Sequence, residues 1–358
     1  SDRKVLNIFL VGTGLIGSAL TRMMNEQFAK LATENLLEVS VIAVANSTRM
    51  LFNEDGLPLS SCIADMKQTG ESMDLHGFVD RMIAVNKPNG IFVDCTSSEE
   101  VTECYGQILE ANISIVTPNK KANSGSYEKY KQLKSIAFRR GVKFFYETNV
   151  GAGLPVINTL NDLLLSGDRV IRIEGVLSGT LNFIFSAFTE GTKFSEVVRE
   201  AKAKGYTEPD PRDDLSGTDV ARKILILSRE TGLPLDLSQV EIQNLVPADC
   251  RGDMTVESFF KQLVQHDAEF EKLRAEASAK NEKLRYKAIL EDRKVTVGLG
   301  SVDAQHPFYS LSGSDNIILL TTERYHDRPM VIRGPGAGAA VTAAGVFADI
   351  IRIGHYAH

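Results

Sequence analysis

Apolar residues gather in short runs along this chain, and the runs alternate with helical patterns. Val5 to Val11 (VLNIFLV) is rich in strand formers and stops at Gly12-Thr13-Gly14-Leu15-Ile16-Gly17, after which Ser18 to Met24 takes helical spacing. Strand, glycine turn and helix predict the opening of a dinucleotide-binding βαβ unit. In that unit Gly12 makes the tight turn, Gly14 lets pyrophosphate approach the backbone, and Gly17 lets the helix pack close to the strand. Amides at the positive end of the helix would hold the pyrophosphate. Further strands are predicted at Val39 to Ala45, Gly90 to Cys95, Asn112 to Val116 and Lys143 to Tyr146, with one or two helices between 50 and 89.

After Pro155 the pattern changes. Asn158 to Leu165 reads as a helix, Arg169 to Leu177 alternates like a half-exposed strand, and 256 to 282 reads as one long charged amphipathic helix. Leu284 to Leu290, Lys294 to Leu299, Asn316 to Thr322 and Pro329 to Arg333 predict a mixed or antiparallel sheet. An α/β, Rossmann-type nucleotide-binding domain over 1–150 is thus followed by an α+β substrate and dimerisation domain over 151–333. The glycine-rich turn Gly334 to Gly338 and the small-residue helix after it, within 334–358, are expected to return to the first domain and complete it.

Composition narrows the classes. At 358 residues, 43% hydrophobic and 24% charged, the chain has the make-up of a soluble globular protein of two domains. A net charge of -6 argues against a nucleic-acid surface, which needs clustered Lys and Arg. Cys62, Cys95, Cys104 and Cys250 form no CxxC, so neither a zinc site nor a disulfide framework is indicated, and reduced thiols in a cytoplasmic protein are the simplest account. Cys95 stands at a strand end, yet none of the six histidines falls in a partnering motif, so a structural cysteine is expected rather than a nucleophile. No apolar run is long enough to span a bilayer, and the start at Ser1 is read as a processed chain or one excised from a longer polypeptide.

The second strand ends in Asn46-Ser47-Thr48-Arg49 and not in the Asp or Glu that usually holds the ribose hydroxyls of NAD. The missing acid favours NADP, with NAD still possible. Arg49 is either the clamp on a 2′-phosphate or an ordinary surface arginine. The chemistry is expected around Gly205 to Lys223 (GYTEPDPRDDLSGTDVARK). Pro209 and Pro211 are taken to exclude a helix from its first half, and a helix starts at Ser216-Gly217. Asp219 and Lys223, four apart, share one face of that helix, and Glu208, Asp210, Asp213 and Asp214 precede it. A carboxylate beside an ammonium at the edge of a core suits binding a zwitterion and handing over a proton; an acidic loop followed by a surface ion pair is the plain alternative.

Several motifs, in order and covering essentially the whole chain, resemble homoserine dehydrogenases: GTGLIG at 12–17, VDCTSS at 93–98, TPNKKA at 117–122, ETNVGAGLP at 147–155, SGTLNFIF at 178–185, the 205–223 stretch and GPGAGAAVTAAGVFAD at 334–349. ANSTRM and VDCTSS look most like the dehydrogenase part of bifunctional aspartate kinase–homoserine dehydrogenases. The resemblance implies NADPH- or NADH-dependent reduction of L-aspartate 4-semialdehyde to L-homoserine, on the route to threonine and methionine. It implies that Lys223 is the general acid/base, that Lys120 lies by the nicotinamide and substrate, and that Glu208, Asp214 and Asp219 bind substrate. Thr13, Gly14, Leu15, Ile16, Thr96, Ser97, Gly205 and Gly338 would contact the cofactor. A sodium-type cation would be held by Glu147 and the carbonyls of Val150, Ala152 and Leu154. A homodimer pairing through the second domain, and an aspartate kinase region in the full-length protein, are further implications.

Three other readings compete. An aspartate-semialdehyde dehydrogenase needs a nucleophilic cysteine and phosphate. Another NADP-dependent reductase of a small carbonyl amino acid is separated by a substrate panel. A non-catalytic NADP-binding regulatory module would have no need of the proton donor at 223.

Overall fold

The structure is a computed structural model that describes residues 3–357; Ser1, Asp2 and His358, which belong to the spans expected for the first domain, lie outside the described residues. By contacts the chain divides into two compact units, one running to Gly153 and resuming at Gly338, the other from Leu154 to Ala337.

The first unit begins with β1 (Lys4–Val11), α1 (Leu15–Glu34), β2 (Leu37–Ala45), β3 (Arg49–Leu57), α2 (Cys62–Thr69), β4 (Glu71–Ser72) and α3 (Leu75–Val85). It continues with β5 (Gly90–Asp94), α4 (Glu99–Glu103), α5 (Tyr105–Glu110), β6 (Ser114–Val116), α6 (Tyr127–Arg140) and β7 (Phe144–Phe145). These strands make one sheet in the order β4-β3-β2-β1-β5-β6-β7. β2, β1, β5, β6 and β7 run parallel, while β3 and β4 are antiparallel additions. The central strands are covered on both faces, so β5 is buried at all its positions and β1 at nearly all. Chain order reverses between β1 and β5, the place where open α/β sheets put their ligands, outside the carboxyl ends of the strands. The hairpin β2–β3 was not expected: RMLFNEDGL carries a polar Asn53-Glu54-Asp55 centre that hides its strand character.

The second unit holds α7 (Ile157–Leu165), β8 (Val170–Val176), α8 (Gly179–Ala187), α9 (Phe194–Ala203), α10 (Pro211–Leu215), α11 (Thr218–Glu230), β9 (Glu241–Ile242), α12 (Val256–Leu263), α13 (Asp267–Ala279), β10 (Lys283–Glu291), β11 (Lys294–Val302), β12 (Asp315–Thr322) and β13 (Met330–Pro335). Its sheet runs β13-β12-β8-β10-β11-β9, antiparallel except for the β11–β9 pair, so it is mixed. Burial alternates strictly along β13, as expected of a strand with one solvated face.

Two expectations fail here. The helix predicted over 256–282 is two helices separated by a 3-10 turn at Val264–His266, with no Gly or Pro to announce the break. The 205–215 stretch is not helix-free: Pro211 takes the first position of α10, where its missing N–H has no partner to lose, and Asp210 caps the turn through the Arg212 N–H.

The first unit closes with α14 (Ala339–Tyr356). Its Ala343, Val346, Phe347, Ile350 and Ile353 belong to the same core as Leu6, Ile8 and Leu10 of β1 and Leu20 and Met24 of α1. Among the described residues no helix is long and apolar enough to cross a membrane.

Candidate active site

In the first unit, the turn after β1 is shaped by what a side chain would strike. Gly12 takes φ +100°, and a Cβ there would fall 2.7 Å from the Cys95 carbonyl carbon. A Cβ on Gly17 would fall 2.0 Å from Gly12 O, so this glycine makes room for the turn itself and not, as expected, chiefly for the strand. Gly14 differs from both: a Cβ there would meet nothing within 4 Å. No protein contact accounts for that glycine. Gly14 caps α1 without a side-chain bond, and the first turn of α1 holds no acid, so its amides are left to an anion. Thr13 and Ile16 are half-buried around the turn, while Leu15 is 82% exposed.

Across the β1–β5 crevice, Thr96 and Ser97 follow β5 and Ser98 caps α4 by accepting the Val101 N–H. Their loop is set by Asp94, which the sequence reading passed over. Asp94 is fully buried; its Oδ1 accepts the Thr96 N–H at 2.8 Å and the Thr96 hydroxyl at 2.6 Å, and its Oδ2 accepts the Tyr105 hydroxyl at 2.5 Å and Asn119 Nδ2 at 3.0 Å. Thr117 Oγ1 donates to the Asp94 carbonyl at 2.7 Å. Burial pushes the Asp94 carboxyl above the ordinary range, against the pull of these donors. One acid thus fixes the ends of both β5 and β6. The signal for it was a charged residue inside the apolar run GIFVDC.

Lys120, half-buried, follows that network in the β6 turn. The turn is tied onward: Asn149 Nδ2 donates to the Thr117 carbonyl at 3.1 Å, and Asn123 Nδ2 to Asn149 Oδ1 at 3.0 Å. Cys95 is half-buried at the crevice, where burial pushes its thiol up. A raised thiol is a poor nucleophile. Arg49 opens β3, is exposed, and donates Nη1 to the Gly70 carbonyl at 2.8 Å, within a hairpin turn held by Asn46 Oδ1. Gly338, at φ +119°, caps α14. Glu147 is a buried carboxylate whose N–H donates to Asp349 Oδ2 at 3.2 Å; Val150 is buried, and Gly151 and Ala152 turn the backbone left-handed at φ 77° and 52°.

The second unit gathers the charged candidates. Lys223 projects from α11 with its side chain 14% exposed; Nζ is 2.9 Å from Asp219 Oδ2 and donates to the Leu177 carbonyl, just beyond the end of β8, at 3.0 Å. The ammonium is held between a half-exposed acid and a carbonyl, unlike a solvated surface pair. Gly217 starts α11 at φ +78°, where a Cβ would overlap the Tyr286 hydroxyl. One turn earlier, Asp214 Oδ2 accepts the Glu208 N–H at 2.9 Å. Burial, reinforced by the Glu208 charge, pushes Asp214 up to about 6. Thr180 side-chain contact reaches the same acid, and the Thr180 hydroxyl donates to the Tyr206 carbonyl beside Gly205, which turns left-handed at φ +76° after α9. Arg212 anchors this loop from behind: it pairs with Asp210 and donates to the carbonyls of Gly252 at 3.0 Å and Met254 at 2.8 Å. Leu154 opens the second unit.

The structure therefore groups Gly12 to Gly17 with Thr96 and Ser97, and Glu208 with Asp214, and Asp219 with Lys223. Residues 155–351 match the family model described as homoserine dehydrogenase, and residues 12–147 match its NAD binding domain. The chain is 46% identical to the bifunctional aspartokinase/homoserine dehydrogenase 1, chloroplastic, of Arabidopsis thaliana, over 99% of this chain and 39% of that protein. It thus spans well under half the length of that relative. It is 39% identical to a homoserine dehydrogenase of Schizosaccharomyces pombe, over 99% of this chain and 96% of the other. Among solved structures, a hyperthermophilic archaeal homoserine dehydrogenase in complex with NADPH superposes with TM-score 0.76 at 25% identity, covering 99% of this chain and 98% of that one.

Proposed function

This chain belongs to the homoserine dehydrogenase family of NAD(P)-dependent oxidoreductases, and we propose from this that it reduces L-aspartate 4-semialdehyde reversibly to L-homoserine with NADPH. The observation that carries the reading is the placement of Lys223, whose ammonium is held by Asp219 and the Leu177 carbonyl. NADPH, when bound, supplies the hydride. The Gly12–Gly17 turn and the first amides of α1 would hold its pyrophosphate, Thr96, Ser97 and Gly338 would contact it, and Arg49 would take the 2′-phosphate. NADPH in the archaeal relative supports the choice of cofactor.

Lys223 stabilises the carbonyl oxygen as it gains negative charge and delivers the proton to it, with Lys120 as a second cation. Glu208, Asp214 and Asp219 bind the amino group of the substrate. A sodium-type ion suits Glu147 and the carbonyls of Val150, Ala152 and Leu154, because a hard cation takes oxygen donors and the left-handed turn at 151–152 redirects successive carbonyls. A homodimer pairing through the second unit, a cytoplasmic setting and an aspartate kinase region in the full-length protein complete the reading, the last supported by the bifunctional relatives.

The test is nicotinamide absorbance with L-homoserine and either NADP or NAD. Lys223→Ala should lower kcat by at least ~100-fold while NADPH affinity stays within a factor of two or so; turnover near that of the unmodified chain removes the role. A folded protein inert towards homoserine with both nucleotides removes the function.

A further inference from the structure

Away from the residues just discussed, three metal-capable atoms of the second unit converge. Asp249 and Cys250 lie in a 3-10 turn after Pro247, and His266 ends the turn between α12 and α13. Asp249 Oδ1 lies 2.6 Å from His266 Nε2 and 3.5 Å from Cys250 Sγ, and the three donors all fall within 4.8 Å of one another. Asp249 is exposed and His266 half-buried, and further polar groups flank both. Gln262 Nε2 donates to Asp249 Oδ2 at 2.8 Å, and His266 Nδ1, shut off from solvent, lies 3.4 Å from Glu269 Oε2. The ring has Asp249 at one nitrogen and Glu269 at the other, and a carboxylate behind the imidazole is what orients a histidine ligand on a metal. No motif announces this cluster, because the sulfur, nitrogen and oxygen donors come from a turn and a helix junction and form no CxxC.

We propose that Asp249, Cys250 and His266 bind one borderline-soft divalent cation of the Zn2+ kind, with Gln262 and Glu269 orienting the ligands. A thiolate and an imidazole select Zn2+, Cd2+ or Co2+ over Mg2+ and Ca2+, which want oxygen alone. As the metal–sulfur bond forms, the Cys250 thiol passes its proton to the contacting Asp249 carboxylate and from there to solvent; the ion takes the place of the proton between His266 Nε2 and Asp249, so the ring offers a lone pair and the carboxylate an oxygen. The exposed side of Asp249 leaves the fourth position to water. Arg212 rests on this segment through the carbonyls of Cys250, Gly252 and Met254, so a bound ion braces the backbone that anchors the acidic loop.

The test is titration of the tag-free full chain with Co2+ and Cd2+, read by the thiolate-to-metal charge-transfer absorption. A single saturable equivalent is expected. Cys250→Ser should abolish the band, His266→Gln should weaken binding by more than about 10-fold, and Glu269→Gln by about 10-fold. His266 is at the surface, so its variant keeps the test valid should Cys250→Ser not fold. Cys104→Ser should leave the band intact. A chain without a saturable band, or one whose band survives both Cys250→Ser and His266→Gln, overturns the proposal.

Discussion

The carboxylate of Asp214 accepts the backbone N–H of Glu208 at 2.9 Å, so one acid fixes the backbone that carries the next. Because burial raises Asp214 to about 6, the group changes charge close to neutrality. The unfolded acid ionises near its ordinary value of 3.8, so folding penalises the charged form, by nothing at lower pH and in full above about 6. Asp214→Asn should therefore stabilise the chain at pH above 7, by on the order of 1–3 kcal/mol, and change little near pH 4. Urea unfolding at both pH values checks this. The acid limb of the kcat/KM profile should also lose its inflection near 6 in that variant.

The glycine turn allows a sharper contrast. Gly14→Ala meets no protein atom, so stability should hold while NADPH binding falls by at least ~10-fold, the backbone approach being blocked. Gly17→Ala places a methyl 2.0 Å from Gly12 O and should cost about 1–3 kcal/mol or more. Thermal unfolding beside a fluorescence titration with NADPH separates the two. Equal stability losses for both variants would contradict the assignment of Gly14 to the ligand.

Tyr105→Phe removes the phenol that Asp94 accepts from. The buried acid keeps Thr96 and Asn119, so the expected loss is about 1–3 kcal/mol and not complete unfolding. The same change should weaken cofactor binding, since Asp94 also sets the Thr96 loop. An unaltered denaturation midpoint would show that the network tolerates the gap.

Asp219→Asn keeps the shape next to Lys223 and removes a charge 2.9 Å from its Nζ. Turnover should fall about 10-fold or more, with NADPH affinity unaltered. Steady-state kinetics beside the same NADPH titration reads both.

What was legible in the sequence was local. The Gly12–Gly17 turn announces itself because conformational demand falls on consecutive residues, and Asp219 and Lys223 lie four apart on one helix. The part played by Asp94 was only half legible: a charge inside the apolar run GIFVDC marks it, but Tyr105, Thr117 and Asn119 reach it from separate elements and none is unusual alone. The break at Val264–His266 escaped for the opposite reason: the residues there are ordinary helix formers, and packing decides where the helix stops. Pro211 misled because a proline forbids a helix interior but suits its first turn.

The helix Ala339–Tyr356 seals a core whose other side is strand Lys4–Val11. Domains usually fold in the order they leave the ribosome, but here strand Lys4–Val11 waits for helix Ala339–Tyr356, while the continuous stretch from Leu154 to Ala337 needs neither. Completion during synthesis therefore runs opposite to translation. Until that helix emerges, the apolar residues of β1 and α1 that it packs against lie uncovered, the kind of patch on which chaperones act.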